Sequence, residues 1–238
     1  MVGSSRNANL QRVLESAATL QALVPDAVLV GGTDAALYAE HRVSLDHDHV
    51  LVDLVARYAE VIEAVEASEG WATSVRASRP PATIMGSLDG VAAGIRQLRR
   101  AVPLEVAVVE VAPGVSVNVP TPEEILRIKA YLIVERNQVR DYLDVVALSE
   151  FVAQLDPGKG VRVLAGIDDY YMDRSGEVGS VLTSLIEHLA KPRPRDTDVI
   201  SELSNYKGLT SRWQSWEDVV LASQELAQGL ISRVLDES

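Results

Sequence analysis

The chain has 238 residues, a mass of 25.7 kDa and 47% hydrophobic residues, enough to bury a core in one large domain or two small ones. It contains no cysteine, which excludes a disulfide framework and thiolate metal centres and makes the cytoplasm the expected compartment; nor does it offer the roughly 18 uninterrupted apolar residues of a membrane span. Its 22 basic and 34 acidic residues give a net charge of −12, an average that argues against a broad phosphate-binding face.

Residues 8–23 place Leu10, Val13, Leu14, Ala17, Leu20 and Leu23 at helical spacing, so an amphipathic helix opens the chain and ends before Pro25. Ala27–Val30 reads as a buried strand running into a tight turn at Gly31-Gly32. A short helix over 34–41, a strand over Arg42–Val52 and a helix over 53–69 follow, with Gly70 as the stop. From Trp71 to Val119 the pattern is strand-rich, with hairpin turns expected at Asp89-Gly90 and Pro113-Gly114. Thr121-Pro122-Glu123-Glu124 is a helix start with the residues of a capping box. That helix continues through Arg136, where Asn137 either breaks it or recaps it before the helical segment RDYLDVVALSEFVAQL (140–155). Pro157-Gly158 and Gly160 mark a boundary, and residues 161–238 are helical in pattern. The expectation is an α+β or α/β domain over residues 1–120 and a helical region over 121–238, in which 121–156 completes the site and 161–238 forms a bundle.

The chemistry begins at Gly31, Gly32 and Thr33. A glycine pair between a strand and a helix lets backbone N–H groups and the helix start approach a phosphate. Thirteen residues after Thr33 comes Asp46, then Asp48. On a strand, alternate residues share a face, so both carboxylates could hold Mg²⁺ against a triphosphate. The glycine turn followed by Asp-x-Asp is far more specific than either half. His47 and His49 then point to the opposite face. On a continuous helix, Lys129, Arg136 and Arg140 fall within one sector, with Asp144 about 60° from Lys129. They belong to the stretch Gly90–Arg140, where seven basic residues (Arg96, Arg99, Arg100, Arg127, Lys129, Arg136, Arg140) face five acidic ones, a local surplus of two. Trp213 and Trp216 read as core residues.

Two blocks, VGGTDAALYAEHRVSLDHD (30–48) and EEILRIKAYLIVERNQVRDYLD (123–144), resemble nucleotidyltransferases of the polymerase-β type, and within them the AbiEii-type abortive-infection toxins and the related MenT-type toxins. The resemblance implies a nucleotidyltransferase core with a mixed sheet followed by a helical C-terminal region. It implies an Mg²⁺-dependent enzyme that transfers a nucleoside monophosphate from an NTP to an acceptor hydroxyl, with the 3′ end of tRNA as an acceptor and an antitoxin as a protein partner. Carried over by position, Asp46 and Asp48 would be catalytic metal ligands, and Lys129 with Asp141 or Asp144 would complete the catalytic set. Gly31, Gly32, Thr33, Ser44, Arg136 and Arg140 would bind the nucleotide. A third carboxylate, present in many members of the wider fold, has only Asp89, Glu105 and Glu110 as candidates. Two alternatives remain open: a small cationic acceptor such as an aminoglycoside, which would suit an acidic protein, or a binding module that no longer catalyses.

Overall fold

The computed structural model describes residues 2–100, 102–171 and 179–236. They divide into two compact units. One gathers the chain up to Leu37 with Val43–Arg99 and Pro103–Thr121; the other gathers Tyr38–Arg42, the short segment at Arg100–Val102 and the chain from Pro122 onward.

The first unit is built on a five-stranded mixed sheet. Its strands are β1 (Val28–Val30), β2 (Asp46–Leu51), β3 (Trp71–Thr73), β4 (Thr83–Leu88) and β5 (Val91–Gln97), in the order β1-β2-β5-β4-β3. Only β2 and β5 run parallel; the other neighbours are antiparallel. The hairpin between β4 and β5 turns at Asp89-Gly90, both at positive φ, as the sequence predicts. Strand alternation divides the sheet into two faces. Leu51, Ile84, Leu88, Ala93 and Ile95 pack with Leu20 of helix α1 (Val2–Leu23), with Val24 just after it, and with Leu54, Val61 and Val65 of helix α3 (Leu54–Glu66). The opposite face carries Asp46 and Asp48. β6 (Val106–Ala112) and β7 (Val115–Pro120) form a separate hairpin. It is tied to α1 by Gln21, whose side chain both donates to the Asn118 carbonyl and accepts from the Asn118 N–H.

The second unit is helical. α4 (Pro122–Glu135), α5 (Val139–Leu155), α6 (Lys159–Ala165), α8 (Val181–Ala190) and α10 (Trp216–Asp236) pack on one another, with α7 (Asp168–Tyr171) and α9 (Asp198–Ser201) as single turns between them. Much of α5 is enclosed by other helices, with Val139, Leu143, Val145, Val146, Leu148 and Val152 buried alongside Asp141 and Asp144. Trp213 is buried and Trp216 meets Tyr142 edge-on, so both tryptophans serve packing.

Three expectations change. The predicted strand over Arg42–Val52 is ordered as a strand only from Asp46, because His41 and Arg42 are committed to the helical unit. Strand β5 is the element the sequence pattern leaves unnamed; Ala92, Ala93 and Gly94 have low strand propensity, and pairing on both edges outweighs it. Pro157-Gly158 is a turn between the packed helices α5 and α6, not a separation of domains. Among the described residues, no helix is long and apolar enough to cross a membrane.

Candidate active site

The glycine turn sits between β1 and α2 (Gly32–Ala39). Gly31 has φ +105°, a conformation that costs a side chain dearly and glycine little. Thr33 is fully buried, and its hydroxyl donates to the Asp46 carbonyl at 2.5 Å. That bond ties the turn to the first residue of β2. Ser44, also buried, donates its hydroxyl to Asp46 Oδ1 at 3.1 Å. The side chains of Thr33 and Ser44 thus hold groups of Asp46, and the backbone of the turn lies beside them.

Asp46 and Asp48 emerge on the open face of β2, Asp46 exposed and Asp48 30% exposed. His47 and His49 are buried on the opposite face with their rings 5.3 Å apart, and His47 Nε2 lies 3.0 Å from Ser16 Oγ. Burial pushes His47 down to about 4 and His49 well below its ordinary value, so both are neutral apolar-face residues near pH 7. In the parallel ladder Asp48 pairs with Gly94 and Val50 with Arg96. A Cβ at residue 94 would overlap Asp48 Oδ1 and stand 3.0 Å from Met85 Sδ, so Gly94 clears the space that the Asp48 carboxylate uses. Arg96 reaches the same oxygen, Nη2 to Oδ1 3.4 Å.

Two carboxylates two residues apart on one open strand face suit Mg²⁺, which commonly takes one or two protein carboxylates together with substrate phosphates rather than an all-protein cage. No cluster of three or more His, Cys, Asp or Glu side chains among the described residues is arranged to hold a metal ion. None of the three candidates for a further carboxylate joins the pair. Asp89 lies in the β4–β5 turn with Arg12 on its carbonyl, Glu105 stands beside Thr121 and Glu110 accepts from the Gly114 N–H on the separate hairpin. The face of β5 beside Asp48 offers Gly94 and Arg96 instead.

The remaining expected site residues lie in the helical unit. Asn137, at φ +51°, breaks the helix, with Tyr142 donating to its Oδ1 at 2.7 Å. The single row of Lys129, Arg136 and Arg140 therefore does not form. Arg136 turns to Asp141, Nε to Oδ1 2.9 Å, and Asp141 also accepts from the Gln138 N–H in the capping box of α5. This is a cap and its counter-ion. Arg140 is part-buried on the first turn of α5, with its Nε enclosed.

Lys129 is only 2% exposed, with Nζ 2.8 Å from Asp144 Oδ2. Asp144 is fully enclosed. Its Oδ1 also accepts from His41 Nε2 at 2.7 Å and Arg42 Nε at 2.7 Å, and its Oδ2 from Arg42 Nη2 at 3.0 Å. Each oxygen thus accepts two donors, the full capacity of a carboxylate. Burial pushes the Asp144 carboxyl up, but the charges of Arg42 and Lys129 and the bonds from His41 and Arg42 outweigh it and hold the group well below its ordinary range. Burial likewise lowers His41. Glu124, in the first turn of α4, pairs with Arg100 and Arg127, and Arg127 lies over the Tyr170 ring. Sequence reasoning gave no role to His41, Gly94 or Arg96; only the ladder register and the packing of α5 reveal them.

No known protein-family profile matches the sequence. The chain is 30% identical over 199 residues to the heme uptake protein MmpL11 of Mycobacterium tuberculosis H37Rv, covering 80% of this chain and 20% of that protein. It is 35% identical over 94 residues to the mycolic acid-containing lipids exporter MmpL11 of Mycolicibacterium smegmatis, 40% of this chain and 10% of that protein. The chain thus spans about a fifth or less of the length of the curated relatives it matches. Among solved structures, it is similar to a candidate nucleotidyltransferase from Helicobacter pylori, with TM-score 0.56, 15% identity and 96% of each chain covered. It is also similar to MenT4, a nucleotidyltransferase toxin from M. tuberculosis H37Rv, with TM-score 0.54 and 16% identity over 95% of this chain and 84% of that one. At such identities the likeness is one of fold: a mixed α/β unit followed by a helical C-terminal region, as these nucleotidyltransferase structures have it.

Proposed function

We propose that this chain is an Mg²⁺-dependent nucleotidyltransferase that moves a nucleoside monophosphate from an NTP to a hydroxyl of an RNA acceptor, such as the 3′ end of tRNA, as the toxin of a toxin–antitoxin pair. The observation that carries the reading is the placement of Asp46 and Asp48 side by side on an open strand face, tied by Thr33 to the glycine turn. The fold shared with nucleotidyltransferases, a MenT toxin among them, supports it.

In the reaction the acceptor oxygen bonds to the α-phosphorus, the bond to the pyrophosphate oxygen breaks, and the hydroxyl proton leaves to solvent. When bound, the metal would steady the triphosphate and lower the charge that opposes attack. The protein's share is positioning. Asp46 and Asp48 would hold the ion, Ser44 fixes the Asp46 carboxylate, and the Gly31-Gly32 backbone would meet phosphate oxygens. Lys129, Asp144, Arg42 and His41 serve in this reading as the internal support of the helical unit, and Asp141 as a helix cap.

The test incubates the protein with Mg²⁺, total tRNA and each labelled NTP in turn. Label on RNA with wild type and none with Asp46→Asn supports the reading. No labelled RNA with any NTP overturns the RNA acceptor, and repeating the assay with aminoglycosides tests the cationic alternative.

A further inference from the structure

Arg96 stands on the open sheet face beside Asp48. It is carried by β5, which runs parallel to β2, and alternation sets Ala92, Gly94 and Arg96 on the face that bears Asp46 and Asp48. Because residue 94 has no side chain, the Asp48 carboxylate leans across β5, and Arg96 Nη2 stands 3.4 Å from its Oδ1. Arg96 is 47% exposed, so the pair is solvated and easily exchanged. A carboxylate already partnered by a guanidinium is a poorer ligand for a free divalent ion. A triphosphate reverses this, since it brings negative charge for the ion and planar acceptor sites that suit a released guanidinium fork.

Resting on the proposed role of Asp46 and Asp48 as metal ligands, we propose that Arg96 is the resident counter-ion of Asp48, which weakens the binding of a free divalent ion and turns to the phosphates when a metal–nucleoside triphosphate complex arrives. The site then takes metal and nucleotide together rather than metal first. Arg96 is a positioning residue for the empty site and a phosphate ligand in the filled one.

The experiment titrates Mn²⁺ into the intact protein, reading free Mn²⁺ by electron paramagnetic resonance, and separately measures calorimetric binding of the Mn²⁺ complex of inorganic triphosphate. Arg96→Gln is expected to bind Mn²⁺ alone about threefold to fivefold more tightly than wild type, yet to bind the Mn²⁺–triphosphate complex more weakly by a similar factor. Arg96→Lys should return both values toward wild type. Changes of opposite sign mark the counter-ion role, because a merely structural role would weaken both. Unchanged or weaker Mn²⁺ binding by Arg96→Gln overturns the proposal. Asp46→Asn in the Arg96→Gln background separates the two claims: if it leaves Mn²⁺ binding intact, the carboxylates are not the metal site and the functional reading fails with it. If it removes Mn²⁺ binding while Arg96→Gln alone has no effect, only the role of Arg96 fails.

Discussion

The two units treat the same kind of ion pair in opposite ways. In the sheet unit Asp48 meets one arginine at the edge of hydrogen-bond range on an open face; in the helical unit Asp144 is sealed and saturated by Arg42, Lys129 and His41. An exposed pair contributes little to stability and stays free to exchange partners. A buried one is costly to break, because the survivors are left as uncompensated charges. The contrast teaches that resemblance in residue type does not fix a role. Solvent access separates a carboxylate able to take a new ligand from one that holds helices together.

The largest effect expected from this contrast is chemical and confined to the sheet unit. Asp48→Asn should lower nucleotide transfer on the order of a thousandfold while leaving the unfolding free energy, read from urea denaturation, within about 0.5 kcal/mol of wild type, as for a surface change. Parallel loss of stability would show that Asp48 is structural too. Asp144→Ala should do the reverse and destabilise by about 3–5 kcal/mol, read from the urea midpoint at constant slope. A drop below about 1 kcal/mol would mean that Asp144 is as replaceable as a surface carboxylate.

Acid should strain both units through buried neutral histidines. His41, His47 and His49 have folded values below the ordinary 6.5, so the unfolded chain binds more protons below pH 6.5. Their stabilising contribution is whole above that pH and is lost as pH falls toward the folded values, about 4 for His47. His47 alone accounts for on the order of 3 kcal/mol. Asp144, depressed in the fold, adds a further loss below its ordinary 3.8. Thermal melts at pH 7 and pH 4.5 check this; His47→Gln should flatten part of the slope.

Gly94→Ala is the finest probe of the open face. The added methyl must displace the Asp48 carboxylate, and a shift near 1 Å at a reacting centre can cost about a hundredfold in rate, with little loss of fold. Unchanged transfer would show that the Asp48 position is not critical.

The sequence by itself determined the local elements and the pairing of the two acids. Gly31-Gly32 after a β-branched run, Asp46 and Asp48 at a spacing of two and Pro122 at a helix start are local signals, and local signals follow from backbone geometry and strand period. The partners of charged side chains were not legible. Arg100, Arg127, Lys129 and Arg136 raise the charge of their stretch, and each pairs with an acid inside the helical unit. Asn137 could break the helix or recap it, and the hydrogen bond from Tyr142 is part of the packing that accompanies its left-handed conformation. Which strand lies beside Asp48, and that it brings a glycine and an arginine there, depends on the parallel pairing of β2 with β5. These segments lie more than forty residues apart, a pairing set by the burial of the sheet's other face against α1 and α3 and by nothing in the local pattern.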